Sequence, residues 1–78
     1  MQVRVYVTLK PGVLDPAGKA VQGGLQSLGY DEVQGVRIGR FFELEVEDRP
    51  DMKERVEAMC RTLLANTVIE EYRIEIGG

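Results

Sequence analysis

Three observations predict an α+β fold, a two-layer βαββαβ sandwich with an antiparallel sheet and two helices on one of its faces. Apolar and polar residues alternate strictly over 3–9, and a period of two returns over 36–46 and 68–76, the period of strands with one buried face. Between these stretches the apolar spacing changes to three and four residues, the period of an amphipathic helix. Each element carries one apolar face or stripe only, so helices and sheet must bury each other in two layers. A chain of 78 residues has room for one such domain, taken as residues 1–78.

In the first strand Val3, Val5, Val7 and Leu9 share one side, and Arg4, Tyr6, Thr8 and Lys10 the other. Pro11-Gly12 ends it, since proline cannot donate to a ladder and glycine turns freely. A helix follows with Asp15 as cap and Pro16 in the first helical position, where its missing N–H costs nothing. Leu14, Ala17, Val21, Gly24, Leu25 and Leu28 line one face. Gly29 stands where a left-handed C-cap belongs. Gly18, Gly23 and Gly24 each weaken the helix by up to about 1 kcal/mol relative to alanine, and two of them are expected to let it approach a sheet closely.

From Glu32 to Glu47 period two returns without a break in parity. Val36, Ile38, Phe42, Leu44 and Val46 form one series, with Arg40 its only polar member. A two-residue hairpin at Gly39-Arg40 would turn Glu43 and Glu45 inward, which one buried face forbids. Two solutions remain: a bulged hairpin with a three-residue loop at 39–41, or one long bent strand over 32–47. That strand would span roughly 53 Å at 3.3 Å per residue, too long for one small domain, and implies sharing with a second subunit.

Asp48 to Asp51 is a turn, and Asp51 with Glu54 reads as a capping box for a second helix. Met52, Val56, Met59, Cys60 and Leu63 make its stripe, with Leu64 beside it. Asn66 suits a left-handed cap. In the last strand Val68, Tyr72, Ile74 and Ile76 face inward, and Ile69, Glu71, Arg73 and Glu75 outward. Gly77-Gly78 reads as a frayed end. The order is ferredoxin-like.

Composition excludes several function classes. The chain has no His, hence no imidazole base, no Ser-His-Asp relay and no HExxH zinc site. One Cys allows no internal disulfide, and with no secretion signal this points to a reducing, cytoplasmic setting. No apolar run approaches the roughly 20 residues of a membrane helix. A net charge of −3 argues against nucleic acid, which needs a basic footprint.

The candidate chemical groups have plain structural readings. Cys60 lies on an apolar stripe with no activating base and reads as a packed thiol. Glu43, Glu45 and Glu47 share one strand face and suit cross-strand pairing with Arg4, Arg37 or Arg73 better than a metal. Lys10-Pro11-Gly12 precedes a helix N-terminus, an anion-attracting place, but Asp15 already occupies the cap. No catalytic, cofactor or metal residue is expected. The outward sheet face differs, because it mixes Tyr6, Phe41 and Ile69 with arginines. Aromatics and arginine are what interface cores are enriched in, and a core this small invites association. Tyr6, Arg37, Phe41 and Ile69 are therefore the expected self-association or partner contacts.

Three blocks resemble one family across nearly the whole chain. They are Val5-Tyr6-Val7-Thr8-Leu9-Lys10 with Val13-Leu14-Asp15-Pro16 and Gly18-Lys19-Ala20-Val21; Leu28-Gly29-Tyr30-Asp31-Glu32-Val33 with Val36 through Leu44; and Met59-Cys60 through Leu63 to Arg73. The resemblance is to PurS, the small subunit of phosphoribosylformylglycinamidine synthase. It implies a PurS-like fold and a non-catalytic accessory subunit in de novo purine synthesis. In that family a glutaminase subunit releases ammonia. A large synthetase subunit uses ATP and that ammonia to convert formylglycinamide ribonucleotide to the amidine. The small subunit bridges the two, assists ammonia transfer and is a homodimer or higher homo-oligomer. ATP and glutamine then belong to the partners, with no cofactor on this chain, no nucleic acid and no membrane. The alternative is a ferredoxin-like regulatory domain that binds a small ligand such as an amino acid, with residues 12–15 as its loop.

Overall fold

The computed structural model describes residues 1–77. Strand β1 (Gln2–Leu9) is followed by helix α1 (Pro16–Ser27), strand β2 (Gly39–Glu45), helix α2 (Met52–Met59) and strand β3 (Glu70–Ile76). A π-helical turn, Cys60–Leu64, continues α2. The sheet has three strands in the order β2-β1-β3. Both pairings are antiparallel, with Val5 opposite Phe42 on one side and Ile74 on the other.

β1 is central because its valines are buried from both neighbours. Val3, Val5 and Val7 are completely or almost completely buried, together with Met52, Val56, Cys60 and Ala65. Phe42, Leu44, Val46, Met59, Leu64, Tyr72 and Ile74 pack around them. The inner parity read from the sequence holds for Val3, Val5 and Val7, for Phe42 and Leu44, and for Tyr72 and Ile74, while Ile76 at the end of β3 is exposed. Arg40 also has a role. Its guanidinium donates to Glu70 Oε1 at 2.8 Å and to the Leu64 carbonyl at 2.9 Å, so a charged head closes the inner layer at one end. Glu70 Oε1 also accepts the Asn66 N–H at 2.7 Å.

Several expectations are corrected. Residues 33–38 form no strand, so the segment is neither a bulged hairpin nor part of a long strand over 32–47, and β2 begins only at Gly39. The ladder has no neighbour for that segment. β1 ends at Leu9, and Gly12, at φ +87°, turns the chain away. The segment instead returns beside α1. Asp15 Oδ2 accepts the Ile38 N–H at 3.2 Å, and Gln26 Nε2 donates to the Val33 carbonyl at 3.0 Å. Gly18 is the buried glycine of α1, and a Cβ there would run into the Val36 carbonyl and the Asp15 carboxylate. Its close approach is to the return segment and not to the sheet, while Gly23 and Gly24 face open space.

The π turn moves the stripe of the second helix. The Ala65 N–H reaches back five residues to the Cys60 carbonyl at 2.9 Å, and the extra residue per turn rotates Leu63 outward to 83% exposure. Leu64 packs on the core in its place. Asp51 makes no side-chain cap bond and lies 3.6 Å from Arg49 instead. Asn66 is not left-handed; its Oδ1 accepts the Val68 N–H at 3.1 Å, a local turn that leaves Val68 79% exposed rather than inward. Gly77 donates to the Gln2 carbonyl at 3.2 Å and is tied to the sheet; Gly78 lies outside the described residues.

The α1 ends form as expected. Asp15 Oδ1 accepts the Gly18 N–H at 2.9 Å. At the other end Gly29 has φ +99°, its N–H bonds Gln26 and the Tyr30 N–H bonds Leu25, a Schellman closure. Yet α1 packs on neither the sheet nor α2; the packed pairs are β1 with each outer strand and α2 with β3 and its π turn. The two-layer sandwich is realised on one half only.

Candidate functional site

The outward sheet face carries the most organised group of side chains. The register sets Tyr6 opposite Phe41 on one side and Arg73 on the other. The Tyr6 and Phe41 rings stack with centroids 5.0 Å apart and an interplanar angle of 26°. The Arg73 guanidinium lies 4.3 Å from the Tyr6 centroid, within cation–π range. Glu75 fixes this arrangement by accepting from Tyr6 Oη at 3.1 Å and from Arg73 at 2.7 Å. Phe41 remains half-exposed. A cluster of polarised aromatic surface therefore faces outward at the centre of the sheet.

Arg37 lies one step along the same face. It donates to Thr8 Oγ1 at 2.8 Å, to the Leu9 carbonyl at 3.2 Å and to Glu71 at 3.2 Å. Between it and the aromatic cluster runs a groove of about 590 Å³ lined by Tyr6, Thr8, Arg37, Glu71, Tyr72 and Arg73. Of the residues singled out from the sequence, Tyr6 and Phe41 meet, and Arg37 borders the same groove. Ile69 stands apart at the sheet end, where its carbonyl accepts the Lys10 N–H at 2.9 Å. Arg73 belongs to the cluster and was absent from the singled-out set; its outward parity was the signal. Glu43 accepts the Gln2 amide at 2.8 Å rather than an arginine.

The loop before α1 offers no open anion site. Lys10 Nζ donates to the Thr67 carbonyl at 2.8 Å. The Asp15 carboxylate occupies the helix N-terminus, and its pKa is held below the usual 3.8 by the N–H groups of Gly18 first and Ile38 second, with Arg37 adding a smaller pull. A cleft of about 640 Å³ opens between this loop and the return segment, among Lys10, Leu14, Asp15, Lys19, Gln34 and Val36. Its one carboxylate is committed to the backbone, so the regulatory-ligand alternative has no prepared recognition group in residues 12–15. Cys60 is fully buried, and burial first, then the Glu57 charge, pushes its thiol pKa above the usual 9.0, which suppresses the nucleophilic thiolate.

The family model of PurS, phosphoribosylformylglycinamidine (FGAM) synthase, matches residues 2–78. The chain is 59% identical over 75 residues to phosphoribosylformylglycinamidine synthase subunit PurS of Synechocystis, covering 94% of this chain and 75% of that one. The solved structure of Bacillus subtilis PurS superposes with a TM-score of 0.90 at 54% identity, over 99% of this chain and 98% of that chain. A chain of PurLQS from Thermotoga maritima superposes with a TM-score of 0.83 at 29% identity, over 95% of this chain and 93% of that chain.

Proposed function

The chain belongs to the PurS family and is a subunit of phosphoribosylformylglycinamidine synthase, and we propose that it acts there as the non-catalytic bridge between a glutaminase subunit and a large synthetase subunit. It assists the passage of ammonia from the first to the second during purine biosynthesis. ATP and glutamine are handled by the partners, in the cytoplasm, and this single domain binds no cofactor of its own. Among the described residues no helix is long and apolar enough to cross a membrane.

The observation that carries this reading is the fit of 95% of the chain to a chain of the Thermotoga maritima PurLQS structure. The organised groups of the chain agree with it. The Tyr6, Phe41 and Arg73 cluster has the residue types of interface hot spots, and Arg37 extends it along the groove. The one thiol is buried and disfavoured as a thiolate.

Reconstitution tests the proposal. The glutaminase and synthetase subunits are assayed with ATP and the formylglycinamide ribonucleotide, with and without this chain. Glutamine-fed turnover should depend on the chain, whereas turnover fed with high ammonium should depend on it much less. Equal glutamine-fed turnover in its absence overturns the reading.

A further inference from the structure

We propose that the cleft between the loop before α1 and the return segment docks an acidic segment of one of the enzyme's other subunits, which lays an apolar side chain on the cleft floor and sets carboxylates against Lys19, Lys10 and Arg37. This rests on the bridging role and deepens it, by naming a surface that meets a bridged subunit and the chemistry that subunit brings.

The cleft has the form of a prepared site. Its volume of about 640 Å³ lies within the roughly 300–1,000 Å³ of binding pockets. The floor is apolar: Leu9, Val13 and Val36 are half-buried, and Leu14 beside them is 74% exposed. The walls are fixed before any partner arrives. Gly18 lets the foot of α1 approach the Val36 carbonyl closely, and Asp15 accepts the Ile38 N–H at 3.2 Å. A surface already held in shape loses little freedom on binding.

The charge of the lining decides the occupant. The chain carries −3 as a whole, yet three cations against one carboxylate leave the lining at +2. That carboxylate, Asp15, is spent on the N–H groups of Gly18 and Ile38. Lys19, the single charged residue of α1, enters none of the ion pairs among the described residues. Lys10 spends one of its three donors on the Thr67 carbonyl, which holds the ammonium in place without neutralising it. Arg37 is shared with Glu71, but its bonds to Thr8, Leu9 and Glu71 all run through Nη2, so its other nitrogens keep donors for a newcomer. A small anion would satisfy these cations and leave the floor bare, and the helix N-terminus it would seek is filled by Asp15. Nucleic acid would meet the acidic remainder of the chain. An acidic segment with an apolar side chain satisfies floor and rim together, and a positive patch on a negative chain orients its approach.

The test reads the chain concentration that gives half-maximal glutamine-fed turnover of the reconstituted glutaminase and synthetase. Lys19→Glu should raise it about fivefold at about 0.05 M salt and much less at about 0.5 M, with the turnover at saturation unchanged. Lys19→Arg should behave as wild type. Lys53→Glu, on an exposed position of α2, makes the same change of net charge away from the cleft and should shift nothing. A Lys19→Glu chain as potent as wild type, or no weaker than Lys53→Glu, overturns the docking and leaves the bridge standing. A wild-type chain that gives no stimulation overturns both. The occupant is identified with a benzophenone maleimide attached to Gln34→Cys, buried Cys60 staying unlabelled. Photolysis of the assembled enzyme should join this position to a glutaminase or synthetase peptide rich in Asp and Glu. A peptide without carboxylates, a second copy of this chain alone, or no adduct overturns the proposal.

Discussion

The body of the molecule, residues 1–9 and 39–77, and the arm, residues 10–38, obey opposite accounts of stability. In the body Val3, Val5, Val56 and Cys60 are fully excluded from water and Val7 nearly so. In the arm the one buried residue is Gly18. The body is held by apolar burial and two ladders, and the arm by its own caps and a few polar ties to Thr8, Leu9 and Glu71. The contrast teaches that good local signals do not make a self-sufficient element. α1 has the better caps of the two helices, yet α2, without a side-chain cap bond, is the one embedded in the core.

The largest expected effect breaks the body. Val5→Asp sets an unpaired carboxylate at the centre of the sheet, and burying an isolated charge costs several kcal/mol at least. Domains of this kind have only about 5–15 kcal/mol in total. Cooperative thermal unfolding by circular dichroism should vanish, and Cys60, shielded in the native chain, should react with a thiol reagent at the rate of an unfolded peptide. A cooperative transition near the wild-type temperature would show that the β1 valines are not the centre of stability.

Gly39→Ala strikes the joint between the regions. A Cβ there would run into the Val7 carbonyl, a backbone atom fixed in the ladder, and overpacking of this kind costs about 1–3 kcal/mol. Urea unfolding should shift to a lower midpoint with an unchanged slope. Next comes Glu70→Ala, which removes the acceptor shared by Arg40 and the Asn66 N–H. With Arg40 half-exposed, the loss is about 1–2 kcal/mol, read from the same unfolding curves. Gly23→Ala should act in the opposite direction. Its position is open, so helix propensity governs, and α1 should gain about 0.5–1 kcal/mol, seen as slower amide exchange within 16–27.

The same contrast explains what the sequence could reveal. Facing is a local property, so the parities of β1, β2 and β3, the Asp15 and Gly29 caps and the buried thiol were all legible. Pairing is not local. The unbroken parity of 32–47 shows which way Val36 and Ile38 point but not whether a neighbour strand exists, and here β1 has already ended. The π turn was hidden because one extra residue in a turn leaves no mark in a three-and-four spacing; Leu63 and Leu64 exchange roles there without any change of composition. At the candidate site, Tyr6, Phe41 and Arg37 were visible as outward residues. Their grouping with Arg73 required the register, which sets that arginine directly opposite Tyr6, while Ile69 drops away at the strand end.

The smallest effect separates the two regions by pH. Asp15 ties α1 to the return segment through Gly18 and Ile38, and those N–H groups favour its charged form, so its folded pKa lies below the usual 3.8. A depressed carboxylate contributes stability that is fully present above its unfolded pKa and fades as pH falls through the folded one. Its contribution to the arm should therefore be constant from neutrality to about pH 5, then decline below 3.8. Amide exchange of residues 16–27 should accelerate over that acid range relative to the β1 amides. Asp15→Asn keeps an acceptor for the cap but cannot titrate, and should flatten this difference. An unchanged acid profile in that variant would assign the loosening to carboxylates of the body, and the arm would no longer count as the separately held region.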